Sequence, residues 1–192
     1  MSITSGHLVI ISGPSGAGKS TVVRQLLSAC PLPLELSISA TTRPPRANER
    51  DGIDYWYLSD ADFQARREKN EFLECCEVFG RGTWYGTLRE PVTTGLKQGK
   101  WVILEIDVQG ARQAASQIPD AITLFIRPGS LAQLEQRLRG RGTEQESSIL
   151  RRLEVAREEL LQSSWYRHIV VNENVEQTTQ DICRLLTNYK RD

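Results

Sequence analysis

Four stretches of the chain are apolar at nearly every position: LVII at 8–11, WVILEID at 101–107, AITLFIR at 121–127 and HIVV at 168–171. A strand with one wet face alternates polar and apolar residues, whereas a strand covered on both faces does not. These runs therefore predict the strands of a mainly parallel sheet. Helical patterns lie between them. In SLAQLEQRLR, Leu131, Leu134 and Leu138 recur at helical spacing, and Ser130 with Gln133 makes a capping box. A closing helix is expected over about 175–190. Alternating strand and helix patterns predict an α/β fold.

The stretch 37–90 has a different texture. LELSIS and FLECCEVF alternate, and aromatics cluster in DYWYL and TWYGT. Alternation implies strands with one solvated face. The expectation is a small β-rich insertion with a short helix near 60–69, started by Ser59. A polar-faced insertion between core elements is a natural seat for a second substrate. No internal repeat or low-complexity tract interrupts the pattern.

At 192 residues the chain is expected to form one domain with small insertions. Lys and Arg number 24, as do Asp and Glu, so no global field draws it to nucleic acid or an anionic membrane. Any anion site must be built locally. No apolar run reaches membrane-span length, and MSITSGH does not read as a secretory signal. Cys30, Cys75, Cys76 and Cys183 make no C-x-x-C pair, and reduced, mostly buried thiols in a cytoplasmic protein are expected. His7 and His168 show no metal-ligand spacing and are read as structural or surface residues.

The first apolar run leads into SGPSGAGKST, which fits G-x-x-x-x-G-K-S/T through Gly13, Gly18, Lys19 and Ser20. Glycines let such a loop turn its N–H groups around an anion, and the helix beginning at Lys19 adds its positive end. The loop from Gly13 through Pro14, Ser15, Gly16, Ala17, Gly18, Lys19, Ser20 and Thr21 is the expected nucleotide-phosphate site, which by itself specifies neither the nucleotide nor the reaction. Lys19 would reach the β/γ-phosphates and the Ser20 hydroxyl would ligate Mg²⁺.

A second cluster follows in SISATTRPPRANERDGIDY, with Arg43, Arg46 and Arg50 close together and Pro44 and Pro45 stiffening the backbone. Guanidinium forks suit phosphate, and Tyr55 and Tyr85 offer hydroxyl donors. Together with SGPSGAGKST, the strings SISATTRPPRANERDGIDY, EFLE, WYGT, LEIDVQG and RLRGRGTE resemble the guanylate kinase family, in order and over nearly the whole chain. The resemblance implies a P-loop three-layer α/β core with a mainly parallel sheet, a β-rich GMP-binding insertion and a helical lid. The corresponding ranges are a core at about 1–36, 90–136 and 160–192, an insertion at about 37–89 and a lid at about 137–159. It implies transfer of the γ-phosphoryl of ATP to GMP with Mg²⁺.

By that resemblance Glu74 matches the guanine-binding carboxylate, and Ser39 and Thr87 match hydroxyl positions beside it. Arg43, Arg46, Tyr55 and Tyr85 match the holders of the GMP phosphate. Asp107 matches an acidic position near the base, with Glu105 two residues earlier on the same strand face. The role of Asp107 stays open between guanine and Mg²⁺ through water. Glu105 stands where aspartate is usual. Asn48 stands where glycine is frequent, and asparagine tolerates positive φ. Trp56, Cys75 and Cys76 receive packing roles only.

RLRGRGTEQESSILRRL carries the remaining arginines. Gly140 should end one helix, and Thr143 with Glu146 should begin the next through a capping box. The resemblance assigns Arg137, Arg141 and Arg152, with Lys19 and Arg43, to the transferred phosphoryl. Helical phase supports Arg152 independently. Ile149, Leu153, Ala156 and Leu160 form one apolar stripe, which puts Arg152 at its edge and Arg151 on the far side. The expected partners are GMP, with dGMP as a further candidate, and ATP, without nucleic acid or membrane. The rival expectation is a guanylate-kinase-like module that binds protein and lacks catalysis.

Overall fold

The computed structural model describes residues 6–77, 82–140 and 146–189. In chain order the elements are β1 (His7–Ser12), α1 (Lys19–Ala29), β2 (Leu34–Leu36), β3 (Ala40–Thr41), β4 (Trp56–Tyr57), α2 (Asp60–Glu68), β5 (Phe72–Glu77), β6 (Trp84–Leu88), α3 (Arg89–Lys97), β7 (Trp101–Glu105), α4 (Val108–Gln117), β8 (Ile122–Pro128), α5 (Leu131–Arg139), α6 (Glu146–Leu161), β9 (His168–Asn172) and α7 (Val175–Tyr189). A five-stranded sheet has the order β2-β7-β1-β8-β9, and a four-stranded sheet has the order β4-β3-β6-β5. All four continuous apolar runs are strands of the first sheet. The chain groups into two compact units: Met1–Ile10 with Pro33–Ile122, and Ile11–Leu32 with Thr123–Asp192.

In the first unit β2 and β7 pair in parallel, with Leu34, Glu35 and Leu36 opposite Trp101, Val102 and Ile103. This corrects one expectation. The alternating LELSIS stretch is not a strand of the insertion: its first half is an edge of the parallel sheet, and the strand ends at Leu36. An edge strand has one open side, so its residues are only half-buried and alternate like an insertion strand. The His7 ring lies against Trp101, with centroids 4.1 Å apart, a packing role.

The segment expected as an insertion holds a small core of Ala40, Phe63 and Phe72. The Phe63 and Phe72 rings stack with centroids 4.4 Å apart. Phe63 arrives on α2, whose N-cap Ser59 accepts from the Asp62 N–H at 3.1 Å. β5 and β6 are antiparallel, and a bulge interrupts their register. Phe72 faces Leu88 and Glu74 faces Thr87, so one extra residue sits between them. The bulge reverses the in–out alternation. Phe72 and Cys75 thus pack on the same aromatic cluster although three residues apart. Gly86 opposite Cys75 permits this, because a Cβ there would stand 2.8 Å from the Phe72 ring. Asn48 does not need its tolerance of positive φ: among the described non-glycine residues only Asn70 adopts it.

In the second unit β8 and β9 pair in parallel from Leu124 with His168 to Pro128 with Asn172. α5 and α6 share a core of Leu134, Leu138, Ile149, Leu153 and Ala156. Ser130 caps α5, accepting from the Gln133 N–H at 3.1 Å, but the buried Gln133 Oε1 has no hydrogen-bond partner among the described residues. The capping box is half-formed. Gly140 does end α5, though with a right-handed φ of −64° rather than a left-handed cap. Thr143 and Arg141 lie outside the described residues. His168 Nε2 pairs with the Tyr189 hydroxyl at 2.7 Å. The expectation of four reduced thiols is corrected at one pair: a disulfide joins Cys30, after α1, to Cys183 on α7. The two are separated by 153 residues, so no sequence spacing marks them as neighbours. Cys75 and Cys76 are free.

Phe63→Ala should empty the centre of the insertion's core and cost about 3–5 kcal/mol, as for other buried phenylalanines. A lowered urea midpoint would report it. A midpoint equal to the parent's would show that the aromatic cluster does not hold the insertion together.

Candidate active site

Glu74 is held at 4% exposure on β5, among the described residues a rare depth for a carboxylate. Thr87, its cross-strand neighbour, donates its hydroxyl to Glu74 Oε1 at 2.6 Å. Burial pushes the Glu74 carboxyl up to about 7; repulsion from Asp107 adds to this, and the Thr87 bonds oppose it. Asp107 caps α4, its Oδ1 accepting from the Gly110 N–H at 2.8 Å. The Cys76 thiol lies 3.5 Å from Asp107 Oδ2, and burial followed by that carboxylate pushes the thiol up. Packing is therefore not the whole account of Cys76: its thiol also meets the Asp107 carboxylate. The structure brings Glu74, Thr87 and Asp107 together, as the sequence predicts. Gly110 joins them unannounced. A Cβ at that position would stand 2.6 Å from Glu74 Oε2.

A second group forms around Arg43, all within the same unit. Arg43 Nε donates to the Tyr85 hydroxyl at 3.2 Å, and its Nη2 donates to Glu49 at 3.0 Å. Its guanidinium lies 5.5 Å from the Tyr55 ring centroid and 5.9 Å from that of Tyr57. Partial burial disfavours the cation, but the Tyr85 and Glu49 bonds outweigh it and hold Arg43 charged. Burial, then Tyr85 and Glu105, push the Tyr55 hydroxyl up to about 12, so it stays a donor. Glu105 at the end of β7 therefore acts on this group. Ser39 is half-buried, and its carbonyl accepts from the Trp56 N–H at 2.9 Å. Arg46 is reached mainly through its backbone, whose N–H donates to Glu49 Oε2 at 2.8 Å; its side chain is 75% exposed. Arg50 is exposed, and its N–H bonds Asp54.

Sequence reasoning missed Glu49 and Tyr57. Glu49 accepts from Arg43, the Arg46 N–H and the Tyr57 hydroxyl, and so fixes the shape of the arginine loop. An acid planted amid arginines in RPPRANERD was the available signal.

The phosphate loop lies in the second unit. Lys19 Nζ donates to the Gly13 carbonyl at 2.6 Å and to the Pro14 carbonyl at 3.2 Å, drawing the loop into a ring. Gly13 and Gly18 take φ of 141° and 89°, conformations that side-chain-bearing residues rarely adopt. A Cβ on Gly13 would also overlap the Ile126 carbonyl. α1 starts at Gly18 with no side-chain cap and no acid in its first turn. Its leading N–H groups and dipole thus favour an anion. Pro14 and Ala17 are buried, while Ser15 and Gly16 are half-buried and Ser20 and Thr21 exposed.

Of the three arginines that the resemblance assigns to a lid, two reach this loop. Arg137 donates to the Ala17 carbonyl at 3.3 Å and to the Asn172 carbonyl at 2.9 Å. Arg152 Nη2 donates to Ser15 Oγ at 2.6 Å. Arg152 is half-buried and Arg151 exposed, as the helical phase predicts. The third, Arg141, is outside the described residues. Asn172, which carried no sequence signal, is buried at the end of β9 and donates its side-chain amide to the Ala17 carbonyl at 2.7 Å. It ties strand, loop and Arg137 into one network.

Comparison with known proteins agrees with this chemistry. The family described as guanylate kinase matches residues 5–189. A guanylate kinase from Rhodopirellula baltica is 54% identical over 188 residues, 97% of this chain and 90% of its own. One from Carboxydothermus hydrogenoformans is 42% identical over 185 residues, 96% of this chain and 89% of its own. A crystal structure of guanylate kinase from Anaplasma phagocytophilum superposes with a TM-score of 0.82 at 28% identity, covering 98% of this chain and 88% of that one. With a family match over nearly its whole length and an α/β fold of the same kind, the chain belongs to the guanylate kinase family.

Proposed function

We propose that the chain transfers the γ-phosphoryl group of ATP to GMP, giving ADP and GDP, and that the residues above divide the work. The observation that carries the base choice is the buried Glu74–Thr87 pair. Guanine presents N1–H and N2–H₂ donors beside an O6 acceptor. A carboxylate accepts from both donors, and adenine lacks that pair. Ser39 and Thr87 supply hydroxyls at the same end. Asp107 acts as the cap that sets the start of α4, and Glu105 as the acid beside Tyr55. Arg43, Arg46, Tyr55 and Tyr85 hold the GMP phosphate, with Glu49 keeping Arg43 in place until phosphate takes its share of the guanidinium. No observation favours an inactive protein-binding module.

The nucleotide loop 13–21 binds the ATP phosphates through backbone N–H groups and Lys19. Arg137 and Arg152, with Arg141, stabilise charge on the transferred group. Mg²⁺ fits the donor set. The Ser20 hydroxyl is an exposed neutral oxygen, suited to an ion that keeps several waters and takes phosphate oxygens. Among the described residues no cluster of three His, Cys, Asp or Glu offers a dedicated cage. The Ser20 hydroxyl would hold Mg²⁺, which when bound would supply charge neutralisation for the nucleotide phosphates.

The attacking atom is a GMP phosphate oxygen, already largely ionised at neutral pH because its second pKa is about 6. No general base is required, and the protein's task is alignment and charge stabilisation. The core, insertion and lid divisions remain our reading of the architecture. A cytoplasmic location, with a role in guanine nucleotide synthesis and recycling, belongs to the same reading; among the described residues no helix is long and apolar enough to cross a membrane.

Incubation with ATP, Mg²⁺ and each nucleoside monophosphate tests the reaction. GDP should form from GMP, and equal turnover of AMP or UMP would overturn the assignment.

Glu74 should impose a pH dependence. Its folded pKa of about 7 lies above the ordinary 4.5. Guanine needs the ionised form, so GMP use should strengthen as pH rises through 7. Between pH 8 and pH 6 the carboxylate contributes a fall of about tenfold in kcat/KM for GMP. Glu74→Gln should lower that parameter by at least about tenfold at pH 8 and remove this part of the profile. The phosphate's own ionisation is common to both proteins and cancels in their ratio. Stability moves oppositely: the folded state keeps a proton that the unfolded chain releases, so stability contributed by this group declines as pH rises from 4.5 towards 7. Identical GMP profiles in both proteins would remove Glu74 from base reading.

Arg152→Ala should lower kcat by roughly 10²-fold, the scale of losing one preorganised charge stabiliser. Exposed Arg151→Ala should stay within about threefold of the parent. Steady-state rates at saturating ATP and GMP decide between them. A crippled Arg151→Ala with an active Arg152→Ala would reverse the assignment.

A further inference from the structure

β5 is the terminal strand of the four-stranded sheet, and α4 lies along its outer edge. Edge strands present backbone groups that no other strand takes. Here two glutamine side chains take them. Gln113 Oε1 accepts from the Cys75 N–H at 3.2 Å, and Gln117 Nε2 donates to the Leu73 carbonyl at 2.5 Å. Leu73 C=O and Cys75 N–H flank Glu74. They are the same two groups that a residue of a neighbouring parallel strand would bond. The amides of α4 therefore stand in for a missing strand at the position of Glu74.

The tether continues across the bulge. Gln117 Oε1 accepts from Arg89 Nη2 at 2.7 Å, and the same nitrogen donates to the Phe72 carbonyl at 2.9 Å. The backbone is thus held at residues 72, 73 and 75, on both sides of the irregularity that turns Glu74 away from the aromatic cluster. Gly110, Gln113 and Gln117 follow at i, i+3 and i+7, one face of the helix. Gly110 is the closest approach: an added Cβ would stand 2.6 Å from Glu74 Oε2 and 3.1 Å from Cδ. The Asp107 cap holds Gly110 in place from the other end.

We infer that Gly110, Gln113 and Gln117 are positioning residues for guanine selection, with α4 setting where the Glu74 carboxylate stands relative to the base. Glutamine amides fix the strand, and the missing side chain at Gly110 leaves room for the carboxylate. Accepting N1–H and N2–H₂ together demands that both carboxylate oxygens be placed within hydrogen-bond range, so a small displacement costs the 2-amino contact first. The inference rests on Glu74 being the base reader.

The test compares GMP with IMP, which keeps N1–H and lacks the 2-amino group, using the full chain at saturating ATP. Gly110→Ala should raise the KM for GMP about tenfold, the cost of one displaced charged hydrogen bond. Its kcat and its KM for ATP should stay within about twofold, and the preference for GMP over IMP should fall by a similar factor to the rise in KM. Gln117→Glu keeps the acceptor for Arg89 but loses the donor to Leu73, and should move the preference in the same direction. Neither change should add to the loss in a Glu74→Gln background, since coupled residues are not additive. If Gly110→Ala does not fold, Gln113→Ala and Gln117→Glu carry the test, as both residues are exposed to solvent even while they bond the β5 backbone. Lowered thermal stability with an unchanged GMP-to-IMP preference would overturn the inference. Glu74→Gln separates the two failures. If it leaves GMP use unchanged, the base-reader assignment falls and takes the inference with it. If it impairs GMP use while the α4 variants do not, only the inference falls.

Discussion

A carboxylate buried as deeply as Glu74 must find donors or give up its charge. Much of the insertion can be understood as the means of keeping it there. The bulge in β5 turns Glu74 away from Phe63 and Phe72, so the aromatic cluster that stabilises the insertion does not compete with the acid for the same face. Thr87, set opposite by the strand register, supplies one hydrogen bond. Burial first, and then repulsion from Asp107, push the carboxyl towards neutrality. The result is an acid with a pKa near 7, which in the proposed function awaits a base that brings N–H donors.

The phosphate-handling side of the chemistry rests on a different constraint. With equal numbers of acids and bases, the chain has no overall field to attract nucleotides. Anion affinity has to come from local geometry, and two local devices supply it. In one unit Glu49 anchors the arginine loop, so that Arg43 stays beside the Tyr55 and Tyr57 rings and against the Tyr85 hydroxyl. In the other, Lys19 closes the phosphate loop on its own carbonyls, and Asn172 and Arg137 both grip the Ala17 carbonyl. Cations tied to backbone oxygens and one neighbouring acid are preorganised, which lowers the cost of ordering them when phosphate arrives.

Local pattern and tertiary context contributed unequally. The continuous apolar runs, the Ser59 cap, the phosphate loop and the phase of α6 were legible because each depends on residues within a few positions of one another. The half-formed capping box at Ser130 shows where such reasoning stops. The N-cap bond needs only local geometry and forms, whereas the return bond depends on where Gln133 packs and does not. LELSIS was read into the wrong sheet for a related reason: an edge strand alternates whichever sheet it borders.

By itself the sequence determined the α/β class, the phosphate loop and the half-buried phase of Arg152 beside exposed Arg151, and its resemblance to a known family pointed to Glu74. The loop and the phase follow from a short motif and helical periodicity, whose physics is local. Only the tertiary structure decided the bulge that aims Glu74, the service of Asn172 as an anchor, the pairing of Cys30 with Cys183 and the close fit of Gly110 against the carboxylate. Each joins residues whose distance in space is set by packing rather than by spacing along the chain. A hydrogen bond or a steric contact acts over a few ångströms, so no one-dimensional pattern can announce it until the fold has brought the partners together.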